Sequence, residues 1–241
     1  MPNSRLNAFL AGCQGAAPIL LGVIPFGLIY GVVVNNAGIS GLLGQAMSTI
    51  IFAGSAQLIT AQLFGEATPA LIIIATGLVV NLRHLLYSAS IAPLLEELSL
   101  GWKCLLAYLL TDEAYAVVVT HFEAKPESDS NYRKWYFLGT GLALWSCWHL
   151  CTALGIFVGG QIPESWGLDF SVPLTFIALV VPAIRDRAGA AAMLTAGASA
   201  ILLSWLPLRL SLLASILVGI AVGYIVDAFS LKTKRSFRRD V

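Results

Sequence analysis

Three charged side chains interrupt long apolar runs: Arg83, within Asn81-Leu82-Arg83-His84, and Asp112 with Glu113, within Leu110-Thr111-Asp112-Glu113-Ala114-Tyr115. An ionised group at the centre of a membrane helix costs about 2.5 to 3.5 kcal/mol on insertion scales, so each needs a partner or a function. Their depth follows from the turn between them. The run carrying Arg83 closes near Pro93 and the run carrying Asp112 opens near Trp102. At about 1.5 Å per residue both groups lie roughly 15 Å from that turn, near the midplane. An ion pair from Arg83 to Asp112 or Glu113 is the least costly arrangement, and by itself it would be purely structural. It neutralises only one acid, and adjacent residues point about 100° apart on a helix, so a second polar face is left over. A carboxylate without a partner in low dielectric takes up a proton readily, which is the chemistry of a proton-coupled carrier.

The elements that position these groups are membrane helices. Of 241 residues 58% are hydrophobic and 11% charged, against roughly a quarter charged in soluble domains. The sequence predicts an all-α, polytopic integral membrane bundle forming a single transporter domain over 1–241. Eight spans are expected, at 13–35, 42–64, 69–92, 102–121, 135–158, 170–184, 188–206 and 210–229. Eleven of the fourteen Lys and Arg then share one face: Arg5, Lys125, Arg133, Lys134, Arg185, Arg187, Lys232, Lys234, Arg235, Arg238 and Arg239. Lys103 and Arg209 fall opposite. Basic loops stay cytoplasmic, so both termini, including the basic C-terminal tail, are expected inside. The short stretch 170–184, with Pro173 and Pro182, is alternatively re-entrant, which leaves seven spans. Leu10-Ala11-Gly12-Cys13 looks like a lipoprotein cleavage box, but too few apolar residues precede it for a signal-peptide core. The near-zero net charge of +1 gives no pull toward nucleic acid.

Pro18 and Pro25 in the first span, and Pro173 and Pro182 in the sixth, each remove an amide donor and free a carbonyl, so Pro-broken helices are expected, as in transporter sites between repeats. The alternative is that they are ordinary kinks of membrane helices. Gln57, closing Phe52-Ala53-Gly54-Ser55-Ala56-Gln57, needs a hydrogen-bonding partner and is a candidate substrate contact. The pairs Gly27/Gly31 and Gly155/Gly159 read as internal close-packing motifs, and Gly219/Gly223 as a candidate contact with a partner subunit. His149 points away from the face shared by Cys147 and Cys151, so no metal site is expected. The four cysteines read as small buried apolar residues, and His121 as an interfacial group.

At Pro25-Phe26-Gly27, Met47-Ser48, Phe52-Ala53-Gly54-Ser55-Ala56-Gln57, Asn81-Leu82-Arg83-His84, Leu86-Tyr87-Ser88 and Thr111-Asp112-Glu113, the sequence resembles the AzlC family, the large subunits of two-component branched-chain amino acid exporters. The resemblance continues through Arg185-Asp186-Arg187. It implies a permease of the bacterial inner membrane exporting valine, leucine and isoleucine, with methionine and toxic analogues as further candidates. A small membrane partner of the AzlD type is implied too, and no cofactor. The residues suit such a substrate independently. A branched-chain amino acid is a zwitterion with an apolar tail, and it needs a carboxylate binder, an ammonium binder and an apolar pocket. Arg83 offers the first through its fork of donors. Asp112 or Glu113 binds the ammonium or carries the coupling proton. Asn81, Gln57 and the backbone around Pro25 supply neutral hydrogen bonds.

Rival readings make different demands. An intramembrane hydrolase would use Ser55 as nucleophile with His84 or His149 as base, but the sequence offers no oxyanion site. A non-transporting anchoring subunit would need the charges only for assembly. A subunit of an ATP-driven permease would need a docking loop for a nucleotide-binding partner, and the 122–134 loop is short.

Overall fold

The computed structural model describes residues 4–125, 129–160, 184, 186–206 and 210–237, with side chains to residue 229. The expected span 170–184 and its prolines lie outside the described residues, apart from residue 184. Every regular element among the described residues is helical: α1 (Ser4–Asn36), α2 (Gly41–Ile50), α3 (Gly54–Gly65), α4 (Ala70–Asn81), α5 (Arg83–Ile91), a 3-10 turn (Ala92–Leu95), α6 (Leu100–Tyr108), α7 (Asp112–Ala124), α8 (Ser130–Gly159), α9 (Arg187–Leu202) and α10 (Leu210–Phe237). Four stretches are long and apolar enough to cross a membrane: Arg5–Asn36, Ala70–Leu95, Ser130–Gly159 and Leu210–Phe229. The described residues fall into two compact units, one within Met1–Ala67 and Gly77–Pro163, the other within Thr68–Thr76 and Glu164–Val241.

The first unit is built on α1 and α8, which run parallel. Gly12 faces Tyr136 and Thr140, Gly27 faces Trp148 and Cys151, and Gly31 faces Gly155. At the last crossing a Cβ on Gly31 would overlap the Gly155 backbone, and one on Gly155 would overlap the Leu28 carbonyl. Glycine here permits an approach that no other residue allows. Polar ties reinforce the pair: Thr140 Oγ1 donates to the Gly12 carbonyl at 3.1 Å and Asn35 Nδ2 to the Ile156 carbonyl at 2.6 Å.

Two of the expected spans do not cross. In the stretch 42–64, α2 starts beside Ile156 at Gly41 and descends along α8 until Ser48 meets Trp148 and Thr152. Ser40 caps it by accepting from the Leu43 amide. Phe52 then takes a left-handed φ of 40° and Ala53 is extended. The chain reverses there. Helix α3 leaves from Gly54 beside Trp148 and Phe26 and ends with Gly65 against Ala37, at the level where α2 began. The arms hold 10 and 12 residues, or about 15 and 18 Å, each roughly half of a 30 Å hydrocarbon core.

The stretch 102–121 repeats this device from the opposite face. Trp102 packs on Trp135 at the start of α8, Leu109 reaches Gly141, and Tyr108 takes a hydrogen bond from Trp145. Thr111 caps α7 by accepting from the Ala114 amide, and α7 descends until His121 stacks on Tyr132 and Tyr136. The long apolar stretches wholly within the first unit are therefore α1 and α8, while Ala70–Leu95, which holds α4 and α5, begins in the second unit and continues into the first.

This corrects the sorting of charges. Lys103 lies with Lys134 and Arg133, because Lys134 Nζ sits over the Trp102 ring and Arg133 donates to the Leu94 carbonyl. Arg5, Lys103, Lys125, Arg133 and Lys134 share one face of this unit, and its opposite face carries no Lys or Arg among the described residues. The expectation of a Pro-broken helix is corrected for the first span, since α1 runs unbroken through Pro18 and Pro25, while Pro173 and Pro182 lie outside the described residues. Proline costs one donor in a membrane helix, and its fixed φ is already helical. The breaks fall instead at Ile51–Ala53, Leu82 and Leu109–Thr111.

In the second unit α9, capped by Asp186, packs on α10 through small residues. Gly219 and Gly223 face Ala196 and Ala192. The candidate partner contact at Gly219/Gly223 is thus an internal packing seam.

Candidate functional site

The tips of both hairpins and the break between α4 and α5 meet at one level. Arg83, the first residue of α5, joins them: Nη1 donates to Asp112 Oδ2 at 3.1 Å and Nη2 to Ser55 Oγ at 2.7 Å. One guanidinium fork therefore spans the first turn of α7 and the first turn of α3. The geometry suits arginine, whose five donors are fixed in a plane, whereas an ammonium is a single point. Two helix N-termini, of α3 and α7, converge here, each contributing partial positive charge and amides without intrahelical acceptors. Asp112 and Glu113 in the first turn of α7 complement that charge. Ala53 at the start of α3 offers no side-chain acceptor.

Glu113 turns the other way. It lines a pocket of about 20 Å³ with Phe26, Phe52, Leu144 and Trp148, and its polar neighbours are Asp112 and Thr111. That volume holds about one water molecule. The two acids therefore divide as the spacing requires, Asp112 to the ion pair and Glu113 to an aromatic pocket.

Asn81 closes α4, and its Oδ1 is a buried acceptor without a partner; Arg83 Nε is a buried donor in the same condition. Each is a buried polar group with hydrogen-bonding capacity left over beside the Arg83–Asp112 pair. His84 lies next to them, its Nδ1 at 3.2 Å from the Asn81 carbonyl.

Two expected contacts lie elsewhere. Gln57 is fully buried inside the first hairpin, where Nε2 donates to Ser48 Oγ at 2.9 Å and Oε1 accepts from the Ala53 amide. It pins the hairpin together. Pro25 is exposed on α1, as is Leu21, whose carbonyl it frees, while Val23 and Phe26 line the Glu113 pocket. Backbone freed at Pro25 therefore faces away from the site.

Sequence reasoning did not assign three residues to this centre. Tyr108 OH donates to the Thr49 carbonyl at 2.6 Å and accepts from Trp145 Nε1 at 2.9 Å, tying the tips to each other and to α8. Phe52 lies 6.0 Å from the Tyr108 ring and 6.1 Å from His149. Thr111 sets where α7 begins. Its signal was present in the sequence, because Thr followed by two acids is the signature of a helix start. His149, with Nε2 at 3.2 Å from Thr49 Oγ1 and Nδ1 at 2.9 Å from the Trp145 carbonyl, is a packed and hydrogen-bonded residue.

Fold and site together define a helical membrane protein whose polar centre lies between two half-membrane hairpins entering from opposite faces. The family described as AzlC protein matches residues 18–162, and the chain belongs to that family. The match covers nearly all of α1 through α8, the part that carries the whole site, and stops short of Arg185-Asp186-Arg187. Over 188 residues the chain is 31% identical to an uncharacterized membrane protein of Archaeoglobus fulgidus, covering 76% of this chain and 80% of the relative. It is 26% identical over 188 residues to the inner membrane protein YgaZ of Escherichia coli, covering 74% of each. It is 28% identical over 177 residues to the branched-chain amino acid transport protein AzlC of Bacillus subtilis, covering 72% of this chain and 67% of the relative. No solved structure matches.

Proposed function

We propose that this chain is the permease subunit of an exporter for valine, leucine, isoleucine and methionine, resident in a bacterial inner membrane and working with a small membrane partner of the AzlD type. The name of the Bacillus subtilis relative supports the substrate class, and that of the Escherichia coli relative supports the membrane. The observation that carries the reading is the Arg83 fork spanning both hairpin tips. A substrate carboxylate competes for that fork and for the uncapped amides of α3. The ammonium finds Asn81 Oδ1 and Asp112. The branched tail enters the aromatic pocket of Phe26, Phe52 and Trp148, which widens as the tips part.

Alternating access follows from the hairpins' opposite entry. Moving α2–α3 opens the site to one face and moving α6–α7 opens it to the other, while α1 and α8 remain clamped through their glycines. The excess of Lys and Arg makes the face of α6–α7 the cytoplasmic one. Glu113 carries the coupling proton, because its pocket has room for about one water molecule beside the carboxyl until the tips separate. Hydrolysis at Ser55 is disfavoured by its partner, since a guanidinium donates to the hydroxyl and cannot accept its proton.

The test is efflux of labelled leucine from preloaded vesicles containing the chain and its partner. Saturable efflux, driven by a proton gradient directed inward and competed by valine, is expected. Absence of leucine flux in folded, assembled protein would overturn the reading.

A further inference from the structure

A cavity of about 570 Å³ opens beside α5 and α6 and shares no lining residue with the small aromatic pocket. Its volume lies within the range of about 300 to 1,000 Å³ typical of small-molecule sites. Its walls are apolar, from Ile91, Leu95, Leu106 and Phe137, and its mouth is charged, with Glu96 and Lys103 on the face that carries the basic residues. Lys103 Nζ is held at that mouth by the Glu96 carbonyl at 2.8 Å. Its inner end is Leu110, adjacent to Thr111, which caps the helix carrying Asp112. Ser88, in the helix that starts at Arg83, supplies the polar group in the wall. From Lys103 to Leu110 the path is about 10 Å along α6.

Among the described residues, the interior of the α2–α3 hairpin is closely packed. Ser48 accepts from Gln57 and Trp148 and lies 3.4 Å from Thr152, and Tyr30 OH donates to the Gly44 carbonyl; all five side chains are buried.

We propose that the 570 Å³ cavity is a loading vestibule, a second binding site in which a zwitterion with an apolar side chain rests between the basic face and the Arg83–Asp112 centre. The mouth offers one carboxylate and one ammonium, opposite in charge to the two ends of an amino acid, and the interior offers apolar walls for the side chain. The assignment rests on the amino acid reading given above and extends it to residues outside the hairpin tips. Leu106 and Ala107 then contribute to specificity before the substrate meets Arg83.

The experiment uses the full chain with its partner in oriented proteoliposomes, with Cys13, Cys104, Cys147 and Cys151 replaced and Ala107→Cys introduced. A hydrophilic, membrane-impermeant thiol reagent is applied to each face in turn. Modification from the basic face only, slowed at least threefold by saturating leucine but not by glutamate, is expected. Ala107→Trp, which fills the cavity, is expected to raise the leucine KM about tenfold while the maximal rate changes less than threefold. No modification from either face would mean that lipid or a partner helix fills the cavity, and would overturn the proposal. Modification without leucine protection, in protein that still transports leucine, overturns the vestibule alone. Absence of leucine flux in the unmodified wild type overturns the amino acid reading and the vestibule with it.

Discussion

Replacing Arg83 by lysine separates a bridge from a mere counter-charge. The substitution keeps the positive charge but loses the fork that reaches Ser55 at 2.7 Å and Asp112 at 3.1 Å simultaneously. A lysine held by Asp112 leaves Ser55 unengaged, so one charge-assisted hydrogen bond is lost, worth about 1.5 to 3 kcal/mol. The side chains of Arg83 and Asp112 are 29% and 41% exposed, so solvent screening favours the lower end, about 1.5 to 2 kcal/mol. At about 1.4 kcal/mol per factor of ten, the joined-tip state is depopulated roughly 10- to 30-fold. Initial leucine efflux at equal amounts of folded, monodisperse protein should fall by that factor. The double-mutant cycle sharpens the test. Ser55→Ala should slow wild type by a similar factor and add little in the Arg83→Lys background, because the bond it removes is already gone. Efflux of Arg83→Lys within twofold of wild type, or equal effects of Ser55→Ala in both backgrounds, would refute the bridge.

Other consequences follow from the same geometry. Glu113→Gln should leave leucine exchange intact while abolishing its response to an inward proton gradient, whereas Asp112→Asn should lower the yield of folded protein; parallel exchange, gradient-driven and size-exclusion assays separate the two. Phe52→Ala should lower thermal stability by about 1 kcal/mol more than Phe52→Gly, since both lose the ring contacts but only glycine relieves a φ of 40°. Thermal unfolding in detergent decides the order. Tyr108→Phe removes the hydroxyl shared by Thr49 and Trp145 and should accelerate reagent access to a cysteine at the hairpin tips severalfold with the fold intact. Gly155→Val drives a branched side chain into the Leu28 carbonyl and should abolish monodisperse protein, visible by size exclusion.

The apolar runs located helical segments well, because burial in lipid selects the same residues whichever way a helix runs. They did not separate a crossing from a hairpin. A stretch such as 42–64 satisfies a hydropathy window equally as one long helix or as two half-length arms. The distinction resides in short polar punctuation. The left-handed Phe52 carries no sequence signature, since a phenylalanine there is unusual, whereas Thr111 before Asp112 and Glu113 does. The level of the Arg83–Asp112 pair was legible because the distance from the turn near residues 96–100 is the same for a crossing and for a rising hairpin arm. Pro18 and Pro25 misled, since α1 accommodates both at the cost of two donors. Gln57 was legible as a buried amide needing partners, but the partners are Ser48 and Ala53, which only the folded hairpin brings to it.

Bringing Ser55 to Arg83 requires the chain to turn back at the midplane, and the faces of the hairpin ends test this most directly. Single cysteines placed at Ser40, Ala67 and Gly101 in a cysteine-free background would be probed with an impermeant thiol reagent in oriented vesicles. Positions 40 and 67 should react from the same face, and position 101 from the opposite, basic face. Reaction of 40 and 67 from opposite faces would make 42–64 a true crossing and would contradict the site described above.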